Sequence, residues 1–75
     1  MKTTRDYTIS SVKKSLDILK LFDEQHTSLT LSEISEMSGM GKSSTLRFLY
    51  TLLQEEFVSY DEESKKYSLG IELYR

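Results

Sequence analysis

Thr30-Leu31-Ser32-Glu33-Ile34-Ser35-Glu36-Met37-Ser38-Gly39-Met40-Gly41-Lys42-Ser43-Ser44-Thr45-Leu46-Arg47-Phe48-Leu49-Tyr50-Thr51-Leu52 is the stretch that decides the fold. It opens on a capping box, in which Thr30 caps the Glu33 amide and the Glu33 carboxylate reaches back to the Thr30 amide. A short helix is expected over residues 31–37, with Leu31 and Ile34 inward and Gly39 as its left-handed terminator. After Gly41 the helical period resumes over about residues 42–54. Thr45, Phe48, Leu49 and Leu52 share one face of that helix, and Lys42, Ser43, Leu46, Arg47 and Tyr50 lie on the other. Ser35 is small where the two helices cross, Met40 plugs the angle between them, and Thr45 and Phe48 pack the second back on the first. Together these positions specify a helix-turn-helix.

Toward the N-terminus, Val12, Leu16, Leu19 and Phe22 recur at helical spacing, which predicts a first helix over about residues 12–23 capped by Ser10 or Ser11. Ile18 and Leu21 fall outside that stripe. Toward the C-terminus the period changes to alternation in Phe57-Val58-Ser59-Tyr60 and Lys66-Tyr67-Ser68-Leu69, around a polar tip at Asp61-Glu62-Glu63-Ser64-Lys65. That is a hairpin, and a short Ser28-Leu29 strand before the second helix adds a third strand to it. The expected fold is mainly α with a small β-hairpin: a three-helix winged helix-turn-helix with a two- or three-stranded wing sheet. Residues 1–9, including Arg5, read as a flexible tail, 10–70 as the domain, and 71–75 as the start of a connecting helix.

Composition narrows the function. The chain has 75 residues, room for one core, and it contains no cysteine and a single histidine, His26. A disulfide scaffold or zinc finger is therefore excluded, and no metal or cofactor is expected. No apolar run is long enough for a membrane span or a signal-peptide core. Absent cysteine and a polar start fit the cytoplasm. His26, in a polar loop with Asp23 and Glu24, has no nucleophile or ligand cluster beside it, so catalysis is not expected. The net charge of −2 argues at first against a nucleic-acid partner, but its distribution does not. Residues 1–20 carry +3, 40–50 carry +2 and 64–75 carry +2, while 21–39 and 51–63 hold the negative excess. A fold that gathers the three basic stretches presents a basic surface on an acidic molecule.

Gly39-Met40-Gly41-Lys42-Ser43-Ser44-Thr45-Leu46-Arg47-Phe48-Leu49-Tyr50-Thr51-Leu52 resembles the "GLxKSTxxRLLxTL" stretch of IclR-type bacterial transcription regulators. Ser11-Val12-Lys13-Lys14-Ser15-Leu16-Asp17-Ile18-Leu19 is similar to that family's "SxxRALxIL", and Tyr67-Ser68-Leu69-Gly70 to its "YxLG". The resemblance implies an N-terminal winged helix-turn-helix that binds double-stranded operator DNA as a homodimer. It also implies a larger C-terminal domain that takes a small-molecule effector, of which this chain would be the partner piece. Three positions depart from the pattern. Gly41 stands where Ser or Pro usually opens the recognition helix, Lys14 replaces an arginine, and Glu56 replaces a glycine after that helix.

In such a module the second helix of the pair enters the major groove. Arg47 is then the candidate for base readout, with a phosphate contact as its alternative. Lys42, Ser43 and Ser44 fit phosphate contacts at the helix N-terminus. Leu46 either touches a thymine methyl or is a surface leucine, and Tyr50 either meets DNA or covers the core. Lys13 and Lys14 on the first helix, and Lys65 and Lys66 on the wing, complete the basic set. Ile18, Leu21, Leu73 and Tyr74 are apolar residues left for a dimer interface, although Ile18 and Leu73 could instead complete the monomer core. The competing function is a winged helix that binds protein rather than DNA, which the acidic total favours.

Overall fold

The Thr30 box forms as expected and sets the rest of the architecture. In the computed structural model, which describes residues 7–74, the Glu33 amide donates to the Thr30 hydroxyl at 3.2 Å. The Thr30 amide donates to Glu33 Oε1 at 2.8 Å. Elements run in the order α1 (Ser10–Leu19), β1 (Leu29–Thr30), α2 (Leu31–Ser38), α3 (Lys42–Gln54), β2 (Val58–Asp61), β3 (Lys66–Leu69), then a 3₁₀ turn over Ile71–Tyr74. The three strands form one antiparallel sheet in the order β1-β3-β2, with Leu29 opposite Tyr67 and Tyr60 opposite Tyr67 on the other side. Three helices and a three-stranded sheet make this a winged helix-turn-helix. The expected tail residues 1–6, with Arg5, lie outside the described residues, as do Arg75 and the Tyr74 side chain.

The core joins all of these elements. Ile18 and Phe22 come from α1 and the turn after it, Leu29 from β1, Ile34 from α2, Leu49 and Leu52 from α3, and Val58 and Tyr67 from the wing. Thr45 is fully buried as well, and its hydroxyl is satisfied by donating to the Gly41 carbonyl at 2.8 Å.

Serine hydroxyls tie the turn between α2 and α3. Ser35 donates to the Met40 carbonyl at 2.6 Å, and the Met40 amide donates to Ser38 Oγ at 3.3 Å. Gly39 takes a φ of 79°, a conformation that costs a residue with a Cβ roughly 1–2 kcal/mol.

The first helix corrects three expectations. It begins at Ser10, so neither Ser10 nor Ser11 caps it; Ile9 does, with no side-chain hydrogen bond. It ends at Leu19, because Leu21 and Phe22 shift to the tighter three-residue bonding with Ile18 and Leu19. Asp23 closes the loop that follows by accepting from the Gln25 and His26 amides. Finally, the face is rotated. Ile18 has no exposed surface, whereas Val12 and Leu16 are about half exposed. The stripe turned inward is Ser15, Ile18 and Phe22, whose first member is small and polar; Ser11, one turn earlier, stays exposed at the rim of a groove toward α3. Ile18 therefore belongs to the core and cannot contribute surface to a dimer. Leu21 is half-buried against that core, and Leu73 is exposed rather than buried.

Candidate nucleic-acid interface

The outward surface of α3 is built by its own periodicity. With Thr45, Leu49 and Leu52 turned to the core, positions 43, 47, 50 and 54 point most directly away, at about 100° per residue. Lys42, Ser43, Ser44, Leu46, Arg47 and Tyr50 are all exposed. Tyr50 does not cover the core: its hydroxyl lies 3.4 Å from Gln54 Nε2, one turn on along the same face. The helix begins at Gly41, whose lack of a side chain leaves the first amides without a side-chain cap. Those amides, pointing past Lys42 and Ser43, are a place where an anion is favoured.

Packing α1 across α3 brings the first basic stretch to this end. Lys13 and Lys14 line one groove together with Gly39, Met40, Gly41 and Ser44. A neighbouring groove is lined by Ser11, Ser44, Arg47 and Thr51. Ser44 sits in both, so the start of α1 and the outward edge of α3 form a continuous surface. Charge on it is not uniform. Lys13 Nζ is 3.0 Å from Asp17 Oδ2 in an exposed ion pair, and Asp17 lines the same groove. Among the described residues, Lys14, Lys42 and Arg47 have no carboxylate within ion-pair distance.

The wing lysines have a different setting. Lys66 pairs in register with Asp61 on one side and Thr30 on the other, beside the capping carboxylate. Glu33 is held below the usual carboxylate range first by the Thr30 amide and, more weakly, by the Lys66 charge. Lys65 takes a left-handed φ of 62° to close the hairpin, and its amide donates to the Asp61 carbonyl. Asp61 is kept below its ordinary range by the Ser64 hydroxyl and then by the Ser64 amide. Neither Lys65 nor Lys66 lines the grooves between α1 and α3, which join two of the three basic stretches, and Lys66 stands between Asp61 and the Glu33 end of α2.

What fold and surface suggest, comparison with known proteins decides. The family model of the IclR helix-turn-helix domain matches residues 11–62, well over half of the chain. The chain belongs to the IclR helix-turn-helix family. Over 65 residues it is 40% identical to the HTH-type transcriptional regulator XynR of Escherichia coli, covering 87% of this chain and 26% of the relative. It is 37% identical over 67 residues to the glycerol operon regulatory protein of Streptomyces coelicolor, covering 89% and 26%. The crystal structure of an IclR transcriptional regulator from Alicyclobacillus acidocaldarius superposes with a TM-score of 0.85 at 44% identity, over 89% of this chain and 27% of that one. The chain thus spans about a quarter of the length of the relatives it matches, and those relatives are regulators of transcription rather than enzymes.

Membership in the IclR family gives meaning to the departures. Gly41 leaves the recognition helix without a side-chain cap, as its composition implied. Glu56 holds the position after α3 at a φ of 65°, where the family's glycine has no steric penalty. Sequence reasoning missed Asp17 as the partner of Lys13, although the i,i+4 spacing announces it. His26 is half-buried; its Nδ1 lies 3.1 Å from Asp23 Oδ1 and helps close the loop after α1. No helix among the described residues is long and apolar enough to cross a membrane.

Proposed function

We infer that this chain is the DNA-binding part of a cytoplasmic bacterial transcription regulator, with α3 laid in the major groove of double-stranded operator DNA. The observation that carries the reading is the surface shared by Lys14, Gly41, Ser44 and Arg47, where two basic stretches distant in sequence meet at an exposed helix N-terminus. On this reading Arg47 reads a base edge, bidentate to guanine. Lys42, Ser43, Ser44, Lys13 and Lys14 hold phosphates and fix the register. Lys65 and Lys66 have a lesser share, since Lys66 lies opposite Asp61 in the sheet and acts on Glu33.

The proposal includes a homodimer reading two half-sites about 34 Å apart on a pseudo-palindrome. Of the residues first read as its interface, Leu73 retains exposed surface. Val12 and Leu16 take the place of Ile18 as apolar side chains outside the monomer core. A small-molecule effector enters only through a C-terminal domain of the kind the family resemblance implies.

Fluorescence anisotropy with duplexes chosen by selection from a random pool tests this function. Affinity that falls steeply with salt, and sequence preference that weakens in Arg47→Ala, are the expected results. Salt-independent or absent duplex binding would instead favour the protein-binding module that the acidic total suggests.

A further inference from the structure

The outward face of α3 is apolar on one flank, and that flank faces the wing. Leu46, Arg47, Tyr50, Thr51, Leu53 and Tyr67 line a groove of about 440 Å³. Leu46 is 48% exposed and Tyr50 61% exposed, so both stand open to solvent in the free protein. The floor is fixed: Tyr67 is buried and its ring lies 4.7 Å from that of Tyr60 across the sheet. Among the described residues that line the groove, Arg47 is the one charged side chain and none is a carboxylate that would repel DNA.

Resting on the DNA-binding reading, we propose that this groove is a seat for the C5 methyl group of a thymine beside the base pair read by Arg47. The groove offers apolar carbon next to a guanidinium, on the helix face turned toward the base edges. Among the base edges of the major groove, the thymine methyl is the apolar group. Leu46 and Tyr50, one turn apart and both on the same side of Arg47, close around it. Both side chains lose water on binding, which the free protein leaves on them. Specificity then has two adjacent parts, a hydrogen-bonded guanine and a methyl-bearing neighbour.

The test replaces each thymine of a selected duplex, one at a time, with deoxyuridine, which removes the methyl and leaves the pairing intact. At one thymine of each half-site the unaltered protein is expected to bind about fourfold more weakly, the worth of one buried methyl group. Bromine at C5, of similar size, restores the affinity. Leu46→Ala binds the thymine and deoxyuridine duplexes alike, and its circular dichroism is unchanged because the residue is half exposed. Uniform affinity across all deoxyuridine duplexes overturns the proposal, and so does a penalty that survives in Leu46→Ala. Should no duplex be selected at all, the DNA-binding reading itself falls, a result distinct from either of those.

Discussion

Gly70 lies so close to the backbone of Glu56 that a Cβ on it would fall 2.2 Å from the Glu56 carbonyl oxygen. The two segments are stitched there by hydrogen bonds: the Gly70 amide donates to the Phe57 carbonyl at 2.8 Å and the Glu72 amide to the Glu56 carbonyl at 3.1 Å. This clamp ties the end of the wing to the end of the recognition helix. Because the neighbouring atoms are backbone, they cannot move aside by changing rotamer. Gly70→Ala is expected to cost about 2–3 kcal/mol, in the range of forced overpacking. A fall in melting temperature of roughly 10 °C or more, measured by circular dichroism, corresponds to that loss in a chain of this size.

Glu56 itself occupies the position that ends α3. Its amide donates to the Leu53 carbonyl and the Phe57 amide to the Leu52 carbonyl, the paired bonds of a Schellman motif with its left-handed residue at Glu56. A glycine takes that φ without the clash between Cβ and the carbonyl. Glu56→Gly is therefore expected to stabilise the fold by about 0.5–1 kcal/mol, the gain being reduced by glycine's greater freedom when unfolded. Urea denaturation measures it, as a higher midpoint at constant slope.

The middle of the molecule was legible because each local signal there has one physical solution. A capping box, a left-handed glycine and an apolar stripe starting at Thr45 agree on where α2 ends and α3 begins. The first helix offered two stripes instead of one. Val12 and Leu16 advertise an apolar face, yet the face turned inward begins with Ser15, whose smallness suits close packing and whose polarity hides it. Only the tertiary arrangement selects between them. The charge balance of the candidate surface was not legible, since the Asp17 carboxylate pairs with Lys13 and Asp61 lies opposite Lys66.

Side-chain truncation separates the two faces of α1. Ile18 is fully buried, so Ile18→Ala is expected to destabilise by about 2–5 kcal/mol, enough to unfold a small domain. Leu16 is half exposed, and Leu16→Ala is expected to cost under about 1 kcal/mol in the monomer. Equal losses in urea denaturation would restore the stripe first read from the sequence.

Acid should loosen the fold through three carboxylates. Asp23 is held below its ordinary pKa first by the His26 amide, Glu33 by the Thr30 amide and Asp61 by Ser64. In each case the folded chain binds protons less readily than the unfolded chain. Their stabilisation is present above the ordinary carboxylate range, near pH 4, and is lost as the pH falls through the depressed values. The urea midpoint should therefore drop below about pH 4. Glu33→Gln keeps a capping side chain without a titrating group, and should make that drop shallower.

The ion pair on α1 separates two lysines that the sequence treats alike. Lys14 has no carboxylate partner among the described residues, whereas Lys13 is engaged by Asp17 at 3.0 Å. A lysine that displaces counterions from a phosphate contributes about 0.9 to the slope of log affinity against log salt. Lys14→Ala is expected to lower that slope by close to this amount for each bound protomer. Lys13→Ala should lower it less, because its charge is already offset. Asp17→Asn frees Lys13 at the loss of an exposed pair worth roughly 0.3–0.5 kcal/mol of stability, and should tighten duplex binding most at low salt. Anisotropy titrations at several salt concentrations read all three variants. An Asp17→Asn affinity unchanged at every salt concentration would place Lys13 away from the bound phosphates.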